Sequence, residues 1–189
     1  MSLKKVGLLF MALAICVGLT GCGAKESIAI EIEMENGGII SVELYPDIAP
    51  KTVANFTKLI DEGFFDGLIF HRVYPGFMIQ GGGFTAEGEY KSTENVKGEF
   101  SANGVKNKLS HTRGILSMAR SDDPNSASSQ FFITVGDATF LDDNYAAFGK
   151  VTDGMEYADE IANTPNEQTE REVAGKPLKD QIIKTIRRK

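Results

Sequence analysis

Two neighbouring runs alternate apolar and polar residues so regularly that they constrain the chain more than any other feature. In "SIAIEIEM" (27–34), Ile28, Ile30, Ile32 and Met34 fall on one side, and Glu31 and Glu33 on the other. In "IISVELY" (39–45), Ile40, Val42 and Leu44 repeat the pattern. A period of two is that of a strand with one buried face. The "ENGG" between the runs is a turn signal, so the pair reads as a β-hairpin.

The period then changes. In "PDIAPKTVANFTKLIDEGFFDG", Val53, Phe56 and Ile60 lie at helical spacing. Pro50 suits a first helical turn and Gly63 an exit, which predicts a helix from Pro50 to Glu62. Short apolar runs follow: "LIFHRVY", "FMIQG", "GILSMA", "QFFITV" and "AAFGKV". Each is bounded by Gly, Pro, Asn or Asp. A second helical stretch, "GMEYADEIANT", places Met155, Ala158 and Ile161 on one face, and "LKDQIIKTIR" reads as a closing strand. Many short strands with two helices, not alternating β-α-β, predict a mainly β fold: a barrel or sandwich with helices over its openings. The polar stretch 81–108 reads as one long surface loop.

The first 22 residues stand apart. Lys4 and Lys5 precede an apolar run of 14 residues, Val6 to Leu19, and then "LTGC". The run is short for a membrane span, which takes about 20 residues, but suits the apolar region of a secretory signal. "LTGC" resembles a bacterial lipobox, in which Cys22 is lipidated and becomes the mature N-terminus. An ordinary signal peptide, with Cys22 incidental, is the alternative. The expected organisation is therefore a signal over 1–21, a short tether over 22–26 with lipidated Cys22, and one domain over 27–189. Removing residues 1–21 takes away Lys4 and Lys5 and no acid, carrying the formal charge from −6 to −8. Such an acidic domain argues against nucleic acid as a general partner. With Cys16 lost, Cys22 is the only cysteine, which excludes a disulfide framework or cysteine-based zinc site.

Chemistry has to be sought among few residues. The glycines of "FHRVYPGFMIQGGG" (70–83) are followed by neither a Lys-Ser pair nor a helical pattern, so they are no phosphate cradle. They read instead as a sharp turn beside a cleft. His71 and His111 are the only histidines, without metal-ligand spacing. No G-x-S-x-G supports a serine hydrolase. What remains is Arg72, Gln80 and a wall of apolar side chains. If the strand alternates, Phe70 and Arg72 share a face. On pattern alone the Phe and Met residues are equally core, Arg72 a solvated side chain, and Gln80 a partner for backbone.

"FHRVYPGFMIQGG" (70–82), "GILSMA" (114–119), "SQFFI" (129–133) and "FGKV" (148–151) resemble the signature blocks of the cyclophilin-type peptidyl-prolyl cis-trans isomerases, in that family's order and approximate spacing. The resemblance implies a closed eight-stranded antiparallel β-barrel with two capping helices and an active groove on its outside. It implies Arg72 as the catalytic arginine and Gln80 as the glutamine that positions it. Phe77, Met78, Phe132 and Leu141 would form the pocket for the proline ring, and Ala119 and Arg120 the strip that holds the peptide backbone. His71 matches a groove-side position, and His111 one at the groove's far side, where a structural role is equally expected. No cofactor or metal is implied; the partners are proline-containing polypeptides and, through Cys22, a membrane. A monomer is expected, anchored outside the cytoplasmic membrane and assisting the folding of exported proteins. The competing expectation is a proline-peptide-binding chaperone with little catalysis.

Three positions depart from the family's pattern. Phe140 falls where many members carry tryptophan, Tyr145 where many carry histidine, and Arg120 where many carry asparagine. Phenylalanine fills an apolar wall but lacks the indole N–H, so the resemblance implies weakened cyclosporin binding. Arg120 adds a charge near the groove and is expected to alter peptide preference.

Overall fold

The computed structural model describes residues 26–167 and 174–189. Residues 1–25, which hold the signal, Cys22 and most of the tether, lie outside the described residues. The alternating runs form β1 (Ile28–Met34) and β2 (Ile39–Leu44), paired antiparallel with Ile30 opposite Val42 and Ile32 opposite Ile40. Ile30, Ile32, Met34, Ile40, Val42 and Leu44 are all buried. The remaining strands are β3 (Leu68–Tyr74), β4 (Met78–Thr85), β5 (Ile115–Met118), β6 (Phe131–Thr134), β7 (Ala147–Asp153) and β8 (Ile183–Arg188). They make one antiparallel sheet in the order β3-β4-β6-β5-β7-β2-β1-β8. Its two end strands meet through a bridge between Ile69 and Ile182, so the sheet curls into a nearly closed barrel. Closure leaves few unpaired edge groups.

The helices are α1 (Pro50–Asp61) and α2 (Met155–Ala162). α1 packs against β8, and α2 against β2, β3 and β4. Phe56 of α1 anchors the core: its ring meets Phe65, Phe131 and Phe148 at 4.9, 5.3 and 5.1 Å between centroids. Aromatic pairs in such tilted and edge-on arrangements add to plain area burial. Ala49, at the N-cap of α1, has no capping side chain. Glu99 supplies the cap from 47 residues away: one oxygen accepts from Thr52 N and Thr52 Oγ1 at 2.8 Å, the other from Lys51 N at 3.1 Å.

The stretch 81–108 corrects the expectation of one surface loop. β4 runs on to Thr85, Phe84 bridges Tyr90, Val96 bridges Ala127, and Glu99, Phe100 and Asn107 are buried. The closing strand starts at Ile183, later than "LKDQIIKTIR" suggests. A charge network ties β8 to β1. Lys184 and Arg187 bond Glu33, and Lys189 and Arg187 bond Glu31. The Lys189 hydrogen bond chiefly holds the Glu31 carboxyl below its ordinary range; Lys184 and Arg187 do the same for Glu33.

Candidate active site

Strand register builds the site. Reading across the sheet, Arg72 faces Gln80, Gln80 faces Phe132, and Phe132 faces Ser117. Cross-strand partners share a face, so this row lies on the barrel's outer side. The next row is Phe70, Gly81, Phe131 and Met118. It points inward: the three side chains are buried, and Phe70 meets Phe131 at 5.8 Å.

The two rows correct one expectation. Phe70 and Arg72 do not share a face, because the register shifts between them. Two steps along β3 match one step along β4, from Gly81 to Gln80. The bulge flips the parity, turning Phe70 into the core and Arg72 into solvent. The glycines are also not a turn; they lie within β4. A side chain at Gly83 would strike that of Gln130 at 2.5 Å, and Gly82 has φ of +81°. The bare Gly83 makes room for Gln130, just before β6, and the bare Gly82 for Ser129 O and the Phe131 ring. The sharp turn comes earlier: Phe77 N bonds Tyr74 O around Pro75-Gly76, with Gly76 at φ of +76°. Proline followed by a residue at positive φ is the type II pattern.

Gln80 links two partners. Its Oε1 accepts from Arg72 Nη1 at 3.3 Å, and its Nε2 donates to Gln130 Oε1 at 2.9 Å. Because Arg72 can only donate, it sets the Gln80 oxygen towards itself and leaves the NH₂ end for Gln130. Beside this chain lies a hollow of about 280 Å³ lined by Arg72, Phe77, Met78, Gln80, Ala119, Arg120, Phe132, Phe140, Leu141 and Tyr145. Phe132 is nearly buried at its floor, with Tyr145 edge-on at 6.0 Å. Phe140 forms the rim, 70% exposed, its ring 5.3 Å from that of Phe77. A second hollow shares Gln80, Ala119 and Arg120 and is otherwise polar, with Tyr90, Ser121, Ser126, Ser128 and Gln130. A roomier hollow of about 420 Å³ lies elsewhere, around Met34, Asn36 and Gln181, but its lining offers no aromatic ring.

His71 does not join the groove. The same bulge that exposes Arg72 directs His71 into a different pocket, with Ile69, Phe84, Thr85, Gly88 and Lys176. Its ring lies 4.7 Å from that of Phe84, and its buried Nδ1 has no hydrogen-bond partner. Burial, helped by the Arg72 charge and only partly offset by the nearby Ile69 backbone, pushes its pKa down to about 4. His111 lies beneath the groove, stacked on Phe132 with centroids 6.0 Å apart. Its Nδ1 pairs with Asp142 Oδ1 at 2.8 Å and its Nε2 with Ser117 Oγ at 2.9 Å. That line has the order of a hydrolase triad, yet Ser117 is fully buried and out of reach of any substrate. Burial lowers the His111 pKa, against the pull of Asp142.

These histidines set an acid limit on the fold. Both are held below the ordinary value of 6.5, so the folded state favours the neutral ring. Their contribution is complete above pH 6.5 and fades as pH falls below it, for His71 through the range down to about 4. For His71 the linkage amounts to about 3 kcal/mol. The urea midpoint should drop between pH 7 and pH 4.5, and His71→Gln should flatten that drop. An unchanged slope in the variant would refute the assignment to His71.

The barrel thus carries a guanidinium, held by Gln80, beside a largely apolar hollow on its outer side. Comparison with known proteins gives the family. A profile described as "Cyclophilin type peptidyl-prolyl cis-trans isomerase/CLD" matches residues 29–188. The chain is 48% identical over 141 residues to a peptidyl-prolyl cis-trans isomerase of Acinetobacter baylyi, covering 71% of this chain and 72% of that protein. It is 42% identical over 162 residues to peptidyl-prolyl cis-trans isomerase B of Escherichia coli, covering 80% and 94%. A crystal structure of a Cryptosporidium parvum cyclophilin type isomerase superimposes with a TM-score of 0.72 at 31% identity, covering 87% and 98%. A second, described as in the presence of the dipeptide Ala-Pro, gives 0.69 at 32% identity, covering 84% and 96%. The chain belongs to the cyclophilin-type peptidyl-prolyl cis-trans isomerase family and is an enzyme of that class.

Sequence reasoning missed Gln130 and Glu99. Gln130 stands inside "SQFFI", but nothing in sequence pairs it with Gln80. Glu99 lies in a stretch too polar to suggest burial.

Proposed function

We propose that the groove speeds rotation about X-Pro bonds by hydrogen bonding from Arg72 to the prolyl nitrogen, with no covalent intermediate. The observation that carries this reading is the Gln130–Gln80–Arg72 chain beside the hollow lined by Phe77, Met78, Phe132 and Leu141. An amide resists rotation by about 18–20 kcal/mol because its nitrogen lone pair is shared with the carbonyl. X-Pro bonds therefore turn over in tens to hundreds of seconds. At the twisted transition state the lone pair is free, so a donor aimed at it stabilises that state more than either planar form. Arginine suits the task, since it stays charged and presents a rigid fork of donors.

Arg72 does not suffice alone. Sub-millisecond turnover needs about 10⁵-fold acceleration, about 7 kcal/mol, and one preorganised donor supplies about 3–4 kcal/mol. The hollow provides the remainder, holding the proline ring while the flanking carbonyl turns in a partly dry site.

The groove's clients in this reading are exported polypeptides, reached by a monomer held to the outer side of the cytoplasmic membrane through lipid on Cys22. The support is the charged start, the apolar run and the "LTGC" that follows it. One acyl chain anchors only marginally, whereas two anchor firmly. Expressed in a bacterium with radiolabelled palmitate, the full chain should carry label and sediment with membranes. Cys22→Ser should lose the label and leave the pellet. A labelled or membrane-bound variant would overturn the anchor and leave the isomerase reading intact.

A further inference from the structure

Arg120 reads in sequence as a free charge beside the groove, but its guanidinium is engaged with the protein itself. Nε donates to Asn144 O at 3.1 Å, and Nη1 to Ser121 O at 2.7 Å and Asp122 O at 3.3 Å. The same group lies 4.7 Å from the ring centroid of Tyr145 and 5.4 Å from that of Phe100. Both distances are within cation–π range.

The two rings differ in what holds them. Phe100 is buried on a segment fixed to the body of the barrel. The neighbouring Glu99 is bound by the first turn of α1, and Asn107 Nδ2 donates to Glu99 O at 2.9 Å and Ala147 O at 2.8 Å. Tyr145 is half-buried and lines the groove. Arg120 thus connects a buried ring to a half-buried one of the groove wall, and Ala119 and Arg120 line both hollows.

We propose that Arg120 is a positioning residue: it seats Tyr145 as the groove's end wall and fixes the ridge at Ala119 and Arg120, and it does not read charge on the peptide. The proposal rests on the isomerase reading of this groove. A lysine would keep the charge but not the fork, because an ammonium is a point donor that cannot span three carbonyls while lying over two rings. A group that recognised charge would tolerate lysine; a clamp does not.

The test compares wild type, Arg120→Lys and Arg120→Gln on Ala-Pro and Glu-Pro peptides at low and high salt. The clamp predicts that lysine and glutamine both raise KM about 5–10-fold for either peptide, with kcat changed less than about twofold and little salt dependence. Lysine retaining wild-type KM, or a wild-type preference for Glu-Pro over Ala-Pro at low salt that high salt or Arg120→Gln abolishes, would overturn it. An independent readout is the fluorotyrosine NMR signal of Tyr145, assigned with Tyr145→Phe. It should shift or broaden in Arg120→Lys, and an unmoved signal refutes the clamp. If wild type failed to isomerise either peptide, the isomerase reading would fall, while the fluorine signal would still decide whether Arg120 seats Tyr145.

Discussion

Arg72→Ala is expected to lower kcat/KM for an X-Pro peptide by about 10²–10³-fold, the usual loss when one preorganised donor is removed. The fold should survive, because Arg72 is exposed and bonds only Gln80 among side chains. Thermal unfolding of the variant should therefore overlay that of wild type. Arg72→Lys should rescue little, since a point ammonium cannot reproduce the fork. Gln80→Ala should cost less, about tenfold, because it frees the guanidinium without removing it. A protease-coupled peptide assay or exchange NMR reads all three. A near-normal rate in Arg72→Ala would remove the arginine from the mechanism, and an equal loss in Gln80→Ala would mean that the amide does more than orient.

Glu99→Ala should damage the fold at the start of α1. Glu99 is 3% exposed and satisfies two backbone N–H groups at the start of α1 together with the hydroxyl of Thr52. Alanine would leave these donors in a dry site without partners. A lost cap costs about 1–2 kcal/mol, and stranded buried donors add to it, so about 2–4 kcal/mol is expected. For a domain of this size that lowers Tm by roughly 5–15 °C. Glu99→Gln keeps the shape and one acceptor oxygen, so its loss should be smaller. Calorimetry of both variants tests this; Glu99→Ala melting within a degree of wild type would show that α1 does not depend on this cap.

The sequence announces whatever is local and periodic. The β1–β2 hairpin follows from a period of two with a turn between, and the helices from Val53, Phe56 and Ile60 and from Ala158 and Ile161. Even the Pro75-Gly76 turn is plain. Three kinds of information were not local. The bulge at His71 depends on how β3 pairs with β4, and it alone decides which of Phe70, His71 and Arg72 faces the groove. Gly83 looked like turn chemistry because its reason, the Gln130 side chain, is 47 residues away. Arg120 reads as a free charge because the rings of Phe100 and Tyr145 and the carbonyl of Asn144 come from distant segments. The groove's residues were recognisable as types, but their partners were not.

The order of strands around the barrel bears on traffic at a membrane. β4 and β6, which carry the groove, sit four steps around the ring from β1 and β2. An anchor at Cys22 would join the domain through β1, and residues 23–27 span at most about 18 Å even fully extended. Under the anchor proposed above, such a link would keep the domain near the bilayer, with the groove strands across the ring from the tethered strand. A tether at that strand would leave the groove's own strands free of the link, so that lipid and peptide would be held by different parts of the barrel.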